Sequence, residues 1–94
     1  MAQIINVDGS TKEVTPENNV DFSLTEIRNL LGDPDCLIEL VYLHNTDDMI
    51  AFDENGKLKG LGINTEATRL FRKNYSTMDF ICGNVLLCAD TKIK

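Results

Sequence analysis

Residues 53–65 read DENGKLKGLGINT, and this glycine-rich segment constrains the fold of the chain more than any other feature of its sequence. It combines three of the six glycines with two lysines, an Asn-Gly turn signal and a helix-start signal. Glycine is favoured where the backbone must turn sharply or approach another group closely. We therefore expect such a constraint here, and we expect a ligand or partner to bind here.

Short β-forming stretches separated by turn signals occupy much of the chain before this segment. Residues 4–7 and 11–14 flank Asp8-Gly9, and this pattern predicts a hairpin. Residues 37–43 predict a central strand, and residues 49–52 predict a strand that pairs antiparallel with it. The sequence thus predicts two hairpins before the glycine-rich segment.

Two segments carry helix signals. Residues 23–26 read SLTE, which is a capping box, and apolar residues then recur at helical spacing up to Gly32. Asn64 or Thr65 is expected to cap a second helix that runs to about Lys73. The basic residues near its end complement the helix dipole, which explains them without any function.

The last strand is predicted at Ile81 and residues 85–89, with a turn or bulge at Gly83-Asn84. The element order is therefore ββαββαβ. Short connections favour antiparallel hairpins with both helices on one face of the sheet. We predict a single α+β domain over residues 1–94, with two layers, a mainly antiparallel sheet and two helices; a β-grasp-like arrangement has this element order.

Composition indicates a globular protein, since 43% of the residues are hydrophobic and 26% are charged. No apolar run approaches the roughly 18 residues that a membrane span needs, and the first residues lack the pattern of a signal peptide. The three cysteines are odd in number and form no Cys-x-x-Cys pair, which indicates buried thiols in a reducing compartment. We expect a cytoplasmic protein that does not bind membranes.

The net charge of −6 is unevenly distributed along the chain. Residues 1–54 carry −10 and residues 55–94 carry +4. An acidic balance argues against nucleic-acid binding. The asymmetry itself has two interpretations: the second half offers an anion site or drives self-association, or the two halves interleave in the fold and the asymmetry averages out.

Residues 60–65 superficially resemble a dinucleotide-binding fingerprint, but Thr65 stands where the third glycine belongs and no βαβ unit precedes it. A simpler hypothesis is a phosphate or carboxylate site at the start of the second helix, beside the two lysines. The alternative is a well-capped helix with solvated lysines. The predicted ligand-binding residues are Lys57, Lys59, Gly60, Gly62 and Asn64.

Catalytic groups are sparse in the sequence. The single histidine, His44, lies in a predicted turn, and Asp47 and Asp48 beside it are typical of solvated turn residues. No His/Cys cluster has metal-ligand spacing. We therefore expect no enzymatic activity, no metal and no cofactor, and we keep an enzyme based on these three residues only as a minor hypothesis.

Three stretches resemble a known small family: residues 53–64, Ala67-Thr68 and residues 79–86. The shared pattern is an acidic-x-Gly-Lys turn, a Gly-Leu step, an Asn that begins a helix, and a late Asp-x-Ile-x-Gly-x-x-Leu strand. The family is the domain of unknown function numbered three-eight-four-six, found in phages, plasmids and integrative elements. It often has Pro before the Asn and Arg after it, where this chain has Ile63 and Thr65. The resemblance implies a mobile-element origin and a cytoplasmic location but no reaction.

Two functions follow as hypotheses. The first is a small binding module of phage or mobile-element origin that acts on a host protein or sequesters a small anionic ligand. The alternative is a structural or homo-oligomeric accessory domain without a ligand, assembled through the uneven charge.

Overall fold

The computed structural model describes residues 2–44, 46–75 and 77–93. Within them the chain forms five strands and two helices, in the predicted order ββαββαβ. In chain order they are β1 (Ala2–Ile5), β2 (Thr11–Val14), α1 (Leu24–Leu31), β3 (Ile38–Tyr42), β4 (Asp48–Asp53), α2 (Thr65–Asn74) and β5 (Val85–Ala89), followed by a short 3₁₀ turn at Asp90–Lys92. The predicted α+β class is confirmed.

All five strands join one antiparallel sheet in the order β2-β1-β5-β4-β3. The last strand therefore lies in the middle, where Leu86 of β5 is aligned with Ile4 of β1 on one side and with Ala51 of β4 on the other. The prediction of a central strand at residues 37–43 is wrong, because β3 lies at the edge of the sheet and most of its residues are exposed. A strand from the basic half of the chain thus separates two strands from the acidic half. The charge asymmetry of the sequence does not correspond to two separate halves of the fold.

The two helices pack on opposite faces of the sheet. Ile27 of α1 belongs to one core cluster with Ala51, whereas Ala67 of α2 belongs to a second cluster with Ile50. Neighbouring residues of a strand point to opposite faces, so Ile50 and Ala51 place these clusters on the two sides of β4. The expected two-layer arrangement is corrected here, because the sheet lies between the helices and the domain has three layers.

The physical reason for this difference is the double-sided burial of the central strands. Residues 49–53 of β4 are all buried, and β5 buries Val85, Leu86 and Cys88. A strand that is apolar on both faces needs a cover on both. One helix can pack on only one face of a sheet, so α1 and α2 each cover one face.

The local signals of the first helix are confirmed. The Ser23 hydroxyl accepts a hydrogen bond from the Glu26 backbone N–H at 3.2 Å, and the Glu26 carboxylate accepts one from the Ser23 N–H at 3.1 Å. Gly32 then ends α1 in the left-handed conformation, with φ of 93°. The Asp8-Gly9 turn also joins β1 and β2 as predicted, with Gly9 at φ of 93°.

Candidate functional site

The glycine-rich segment packs closely against the residues that precede β5. A Cβ atom at Gly56 would lie 2.6 Å from the carbonyl oxygen of Cys82, so only glycine fits there. Ile63 forms an isolated antiparallel bridge with Cys82, and the Gly83 N–H donates a hydrogen bond to the Gly62 oxygen at 2.8 Å. Gly56 is thus required for close backbone packing, whereas Gly60 has open space around it.

Both lysines of the segment are engaged by carboxylates. The Lys59 ammonium lies 2.6 Å from Asp33, just after α1, and 2.6 Å from Asp53, the buried last residue of β4. The hydrogen bond from Lys59 lowers the pKa of Asp33, and the two carboxylates raise the pKa of Lys59. Lys59 therefore fastens the glycine-rich segment to the rest of the domain.

Lys57 makes a second, more exposed contact of the same kind. Its ammonium pairs with Asp79 and lies 4.3 Å from the centre of the Phe80 ring. The hydrogen bond from Lys57 is the main cause that lowers the pKa of the Asp79 carboxyl. A cation over an aromatic ring is attracted by the electron density of its face, so Lys57 also helps to orient Phe80.

Asn64 is fully buried and has a partner for each of its polar atoms. Its Nδ2 donates to the carbonyl oxygens of Ile5 and Gly83, both at 2.9 Å, and its Oδ1 accepts the N–H of Ala67 at 3.0 Å. The prediction that Asn64 caps the second helix is confirmed. The side chain also ties α2 to β1 and to the residues before β5.

The five residues predicted to bind a ligand therefore do not gather around one cavity. Lys57 lines a small cavity of about 100 Å³, Asn64 is enclosed in the core, and Gly60 lies in an exposed turn with φ of 71°. None of the five lines the large groove beside them. Their contacts are structural, and their role in ligand binding stays a prediction.

That groove has a volume of about 750 Å³ and runs along α2. Its helical wall consists of residues at positions 65, 68, 69, 72 and 73, whose spacing of three and four places them on one face of the helix. Its opposite wall is apolar and consists of Ile63 and Phe80. The complete lining is Ile63, Thr65, Thr68, Arg69, Arg72, Lys73 and Phe80.

Hydrogen bonds from α2 hold the apolar wall in place. Arg72 donates from Nε to the Asp79 oxygen and from Nη2 to the Met78 oxygen, both at 2.9 Å. The Thr68 hydroxyl accepts the N–H of Ile81 at 3.0 Å. Phe80 lies between these anchoring points, so the backbone that carries it is fixed from both sides.

Positive charge is concentrated on the helical wall. Arg69 forms a two-point contact with Glu66, at 3.1 and 2.5 Å, whereas Arg72 donates only to neutral carbonyls. Among the described residues, neither Arg72 nor Lys73 forms an ion pair with a carboxylate. The groove is therefore a cationic site on a chain whose net charge is −6.

Large apolar side chains are exposed on the two segments that meet at the groove. Leu58 and Met78 are 87% and 85% exposed, and Ile63 is 56% exposed. Leu61 and Phe80, on the same segments, each leave more than a third of their surface in solvent. Scattered exposed apolar residues are common, but several on two adjoining segments mark an interaction surface.

The chain matches the model of one known protein family. A family model described as Domain of unknown function (DUF3846) matches residues 2–93. The chain belongs to this family. The match confirms the resemblance carried by the glycine-rich segment and by the residues around β5. Among the curated proteins and among the solved structures, the DUF3846 chain has no match.

The sequence contained a signal for the groove that sequence reasoning did not use. The helix dipole accounts for Arg69, Arg72 and Lys73 without any function, and this explanation hides their place in a groove. The polar and basic positions 65, 68, 69 and 72 of this DUF3846 chain nevertheless follow the helical repeat, opposite Ala67. The missing information was the position of Phe80, which depends on long-range contacts.

The groups considered for catalysis lie where β3 connects to β4: His44 and Asp47 are in the connection, and Asp48 begins β4. The His44 and Tyr75 rings contact each other at a tilt of 60°, with their centres 4.6 Å apart. The three cysteines are free and buried, and burial raises the pKa of Cys88 to about 11. Within residues 2–44, 46–75 and 77–93, no three His, Cys, Asp or Glu side chains lie together as metal ligands would. Neither helix described has the length and apolar character needed to cross a membrane.

Proposed function

We propose that this DUF3846 domain is a non-enzymatic binding module whose groove along α2 receives an anionic partner. The observation that supports this function most directly is the pairing of a cationic helical wall with an apolar wall, on a chain that is acidic overall. Arg72 and Lys73 offer charge, and Phe80 and Ile63 offer apolar surface. Binding sites combine apolar area with a few polar groups in this way.

Electrostatics favours an anion as the occupant. The cationic helical wall attracts negative charge at short range, in spite of the net charge of −6. Among the described residues no carboxylate pairs with Arg72, and a guanidinium binds carboxylates and phosphates through charge-assisted hydrogen bonds. The anion site proposed here lies on the face of α2, next to the glycine-rich segment where the sequence predicts it.

The biological setting is proposed from the family resemblance. We place the protein in the cytoplasm as a product of a phage or another mobile element. There it acts on a host protein or sequesters a small anionic ligand. The family resemblance supports this cellular setting, whereas the residues of the groove support the binding function.

Binding measurements with a matched charge reversal test the function. Calorimetry with inorganic phosphate, mononucleotides and short glutamate-rich peptides should find at least one probe that binds the wild type. The double variant Arg69→Glu/Lys73→Glu should bind that probe at least about tenfold more weakly, because it replaces two attractive charges by two repulsive ones.

The control carries the same change of charge away from the groove. Lys12 is exposed on β2, and Lys92 follows β5. The variant Lys12→Glu/Lys92→Glu should bind like the wild type. Equal weakening by both double variants, or no binding by any probe in the panel, would overturn the proposed function.

A second function, a homo-oligomeric accessory domain, is favoured by one observation. The edge strand β3 exposes Leu40 and Tyr42, and no strand of the described residues pairs with its outer edge. An exposed apolar edge strand can pair with another copy of itself. Light scattering over a range of concentrations tests this candidate: Leu40→Lys should abolish any dimer, and a wild type that is monomeric throughout removes it.

A further inference from the structure

We infer that the occupant of the groove is an acidic segment of a partner protein that inserts a large apolar side chain against Phe80. This inference rests on the proposed function and specifies the partner. Three features of the groove carry it: the extent of its apolar surface, the distribution of its charges and the fixed position of Phe80.

The apolar surface is too open for a small ligand. Small-molecule sites bury most of the surface of the molecule that they bind. Here Ile63, which lines the groove, is more than half exposed, and Met78 beside Phe80 is almost entirely exposed. The segment that carries Leu58 and Leu61 is joined to the segment that carries Met78 by the Lys57–Asp79 pair and the Ile63–Cys82 bridge. A surface of this kind is covered by a macromolecule.

The charges do not form a compact anion pocket. Arg72 uses two donors on backbone carbonyls, and Arg69 is shared with Glu66. Together with Lys73, these cations follow one another along the helix, at about 1.5 Å of axial rise per residue. Carboxylates spread along a peptide match such a row better than a single phosphate does. Charge complementarity therefore indicates an acidic segment.

Phe80 is held ready for an apolar partner. The Lys57 ammonium lies over its ring, and Arg72 and Thr68 fix the backbone on either side of it. A side chain that is ordered before binding loses little conformational entropy when it is covered. Anchors of this kind supply most of the affinity in protein interfaces.

Fluorescence anisotropy with labelled peptides tests the inference. The first peptide is acidic and has one central Phe, and the second has the same charge with Ser in place of that Phe. The Phe peptide should bind the wild type at least about tenfold more tightly, because it buries a large apolar side chain that the Ser peptide lacks. A neutral peptide with the same Phe should bind more weakly than the acidic one.

Variants of groove residues test whether the preference for the Phe peptide arises at the groove. Phe80→Ser should remove the difference between the two acidic peptides, and Arg69→Glu/Lys73→Glu should weaken both. Met78→Ser changes a side chain that is largely in solvent, so it should fold normally and reduce the preference for Phe. Val20→Ser, an exposed apolar position outside the groove, should change nothing.

The outcomes separate this inference from the proposed function. If phosphate or a mononucleotide binds at the groove and the two acidic peptides bind equally, the binding function stands and the inference is wrong. If a single-stranded oligonucleotide displaces the Phe peptide and binds more tightly, the inference is also wrong. If no probe binds, both are wrong.

Discussion

Asn64 shows how a residue that sequence reasoning assigns to a ligand can be required by the fold. Its amide group bonds to Ile5, Gly83 and Ala67, so it connects β1, the residues before β5 and the start of α2. A buried polar side chain with all its partners in place is costly to remove. The contacts observed at this position are structural, and the role of Asn64 in ligand binding stays a prediction.

Replacement of Asn64 should therefore destabilise the domain strongly. Asn64→Ala removes a helix cap, worth about 1 kcal/mol, and leaves two buried carbonyls without a donor, at about 1 kcal/mol each. We expect a loss of about 3 kcal/mol in the free energy of unfolding, measured in urea.

A second variant at the same position separates capping from the other bonds. Asn64→Asp keeps the oxygen that caps α2 but turns an oxygen toward the two carbonyls, so it should be destabilised at least as much. Asn29→Ala, at an exposed position of α1, serves as the control and should stay within about 0.5 kcal/mol of the wild type. An Asn64→Asp protein as stable as the wild type would contradict this assignment.

Lys59 should contribute more to stability than Lys57. Its ammonium compensates the buried Asp53, whereas the Lys57–Asp79 pair is exposed on both sides. Removal of one partner leaves a buried charge uncompensated, but exposed pairs contribute little. We expect Lys59→Met to lower the melting temperature clearly more than Lys57→Met, with both measured by circular dichroism. Equal effects would show that Asp53 does not depend on Lys59.

At the scale of elements, the first helix depends on signals within its own sequence. The capping box, the left-handed Gly32 and the helical spacing all lie between residues 23 and 32, and the structure confirms each. The Asp8-Gly9 hairpin is local in the same way. Such elements can be predicted because a few neighbouring residues determine them.

Ser23→Ala tests the cap of α1. The variant loses the acceptor for the Glu26 N–H, and α1 has only eight residues, so it relies on its cap and on packing. We expect a loss of about 1 kcal/mol in chemical unfolding. The exposed Thr25→Ala, inside the same helix, should change stability by less than about 0.5 kcal/mol. A neutral Ser23→Ala would mean that packing alone holds the helix.

The relative placement of the elements could not be predicted in the same way. Whether α2 covers the same face as α1 depends on which side of β4 and β5 is still uncovered, and this is decided by strand pairing across the whole chain. The groove likewise depends on contacts between residues that are distant in the sequence. Arg69, Arg72 and Lys73 can be read from the sequence as one basic stretch, but Phe80 faces them only because Arg72 and Thr68 bind the backbone around it.

For the whole molecule, the carboxyl groups predict a loss of stability in acid. Hydrogen bonds and ion pairs lower the pKa values of several carboxyls: Asp8, Glu26, Asp33, Glu66 and Asp79. A carboxyl whose pKa is lower in the folded state stabilises that state above its unfolded pKa, and this contribution is lost as the pH falls through the folded pKa. The melting temperature should therefore fall as the pH is lowered below about 4.

A variant can show how much of this pH dependence of stability comes from Asp33. Asp33→Asn removes one titrating partner of Lys59, so its melting temperature should fall less steeply between about pH 4 and pH 2 than that of the wild type. Asp35→Asn, two residues away and in no ion pair with a described residue, should follow the wild-type curve. Parallel curves for all three proteins would exclude a contribution from Asp33.

The central place of β5 governs when the chain can fold during its synthesis. Until Val85–Ala89 has left the ribosome, β1–β2 and β3–β4 are two separate hairpins, and an isolated hairpin is at best marginally stable in water. The inner edges of β1 and β4 both pair with β5. The nascent protein therefore gains its sheet in one late step, and a ribosome that stops before β5 releases a product without the sheet that carries α2 and its groove.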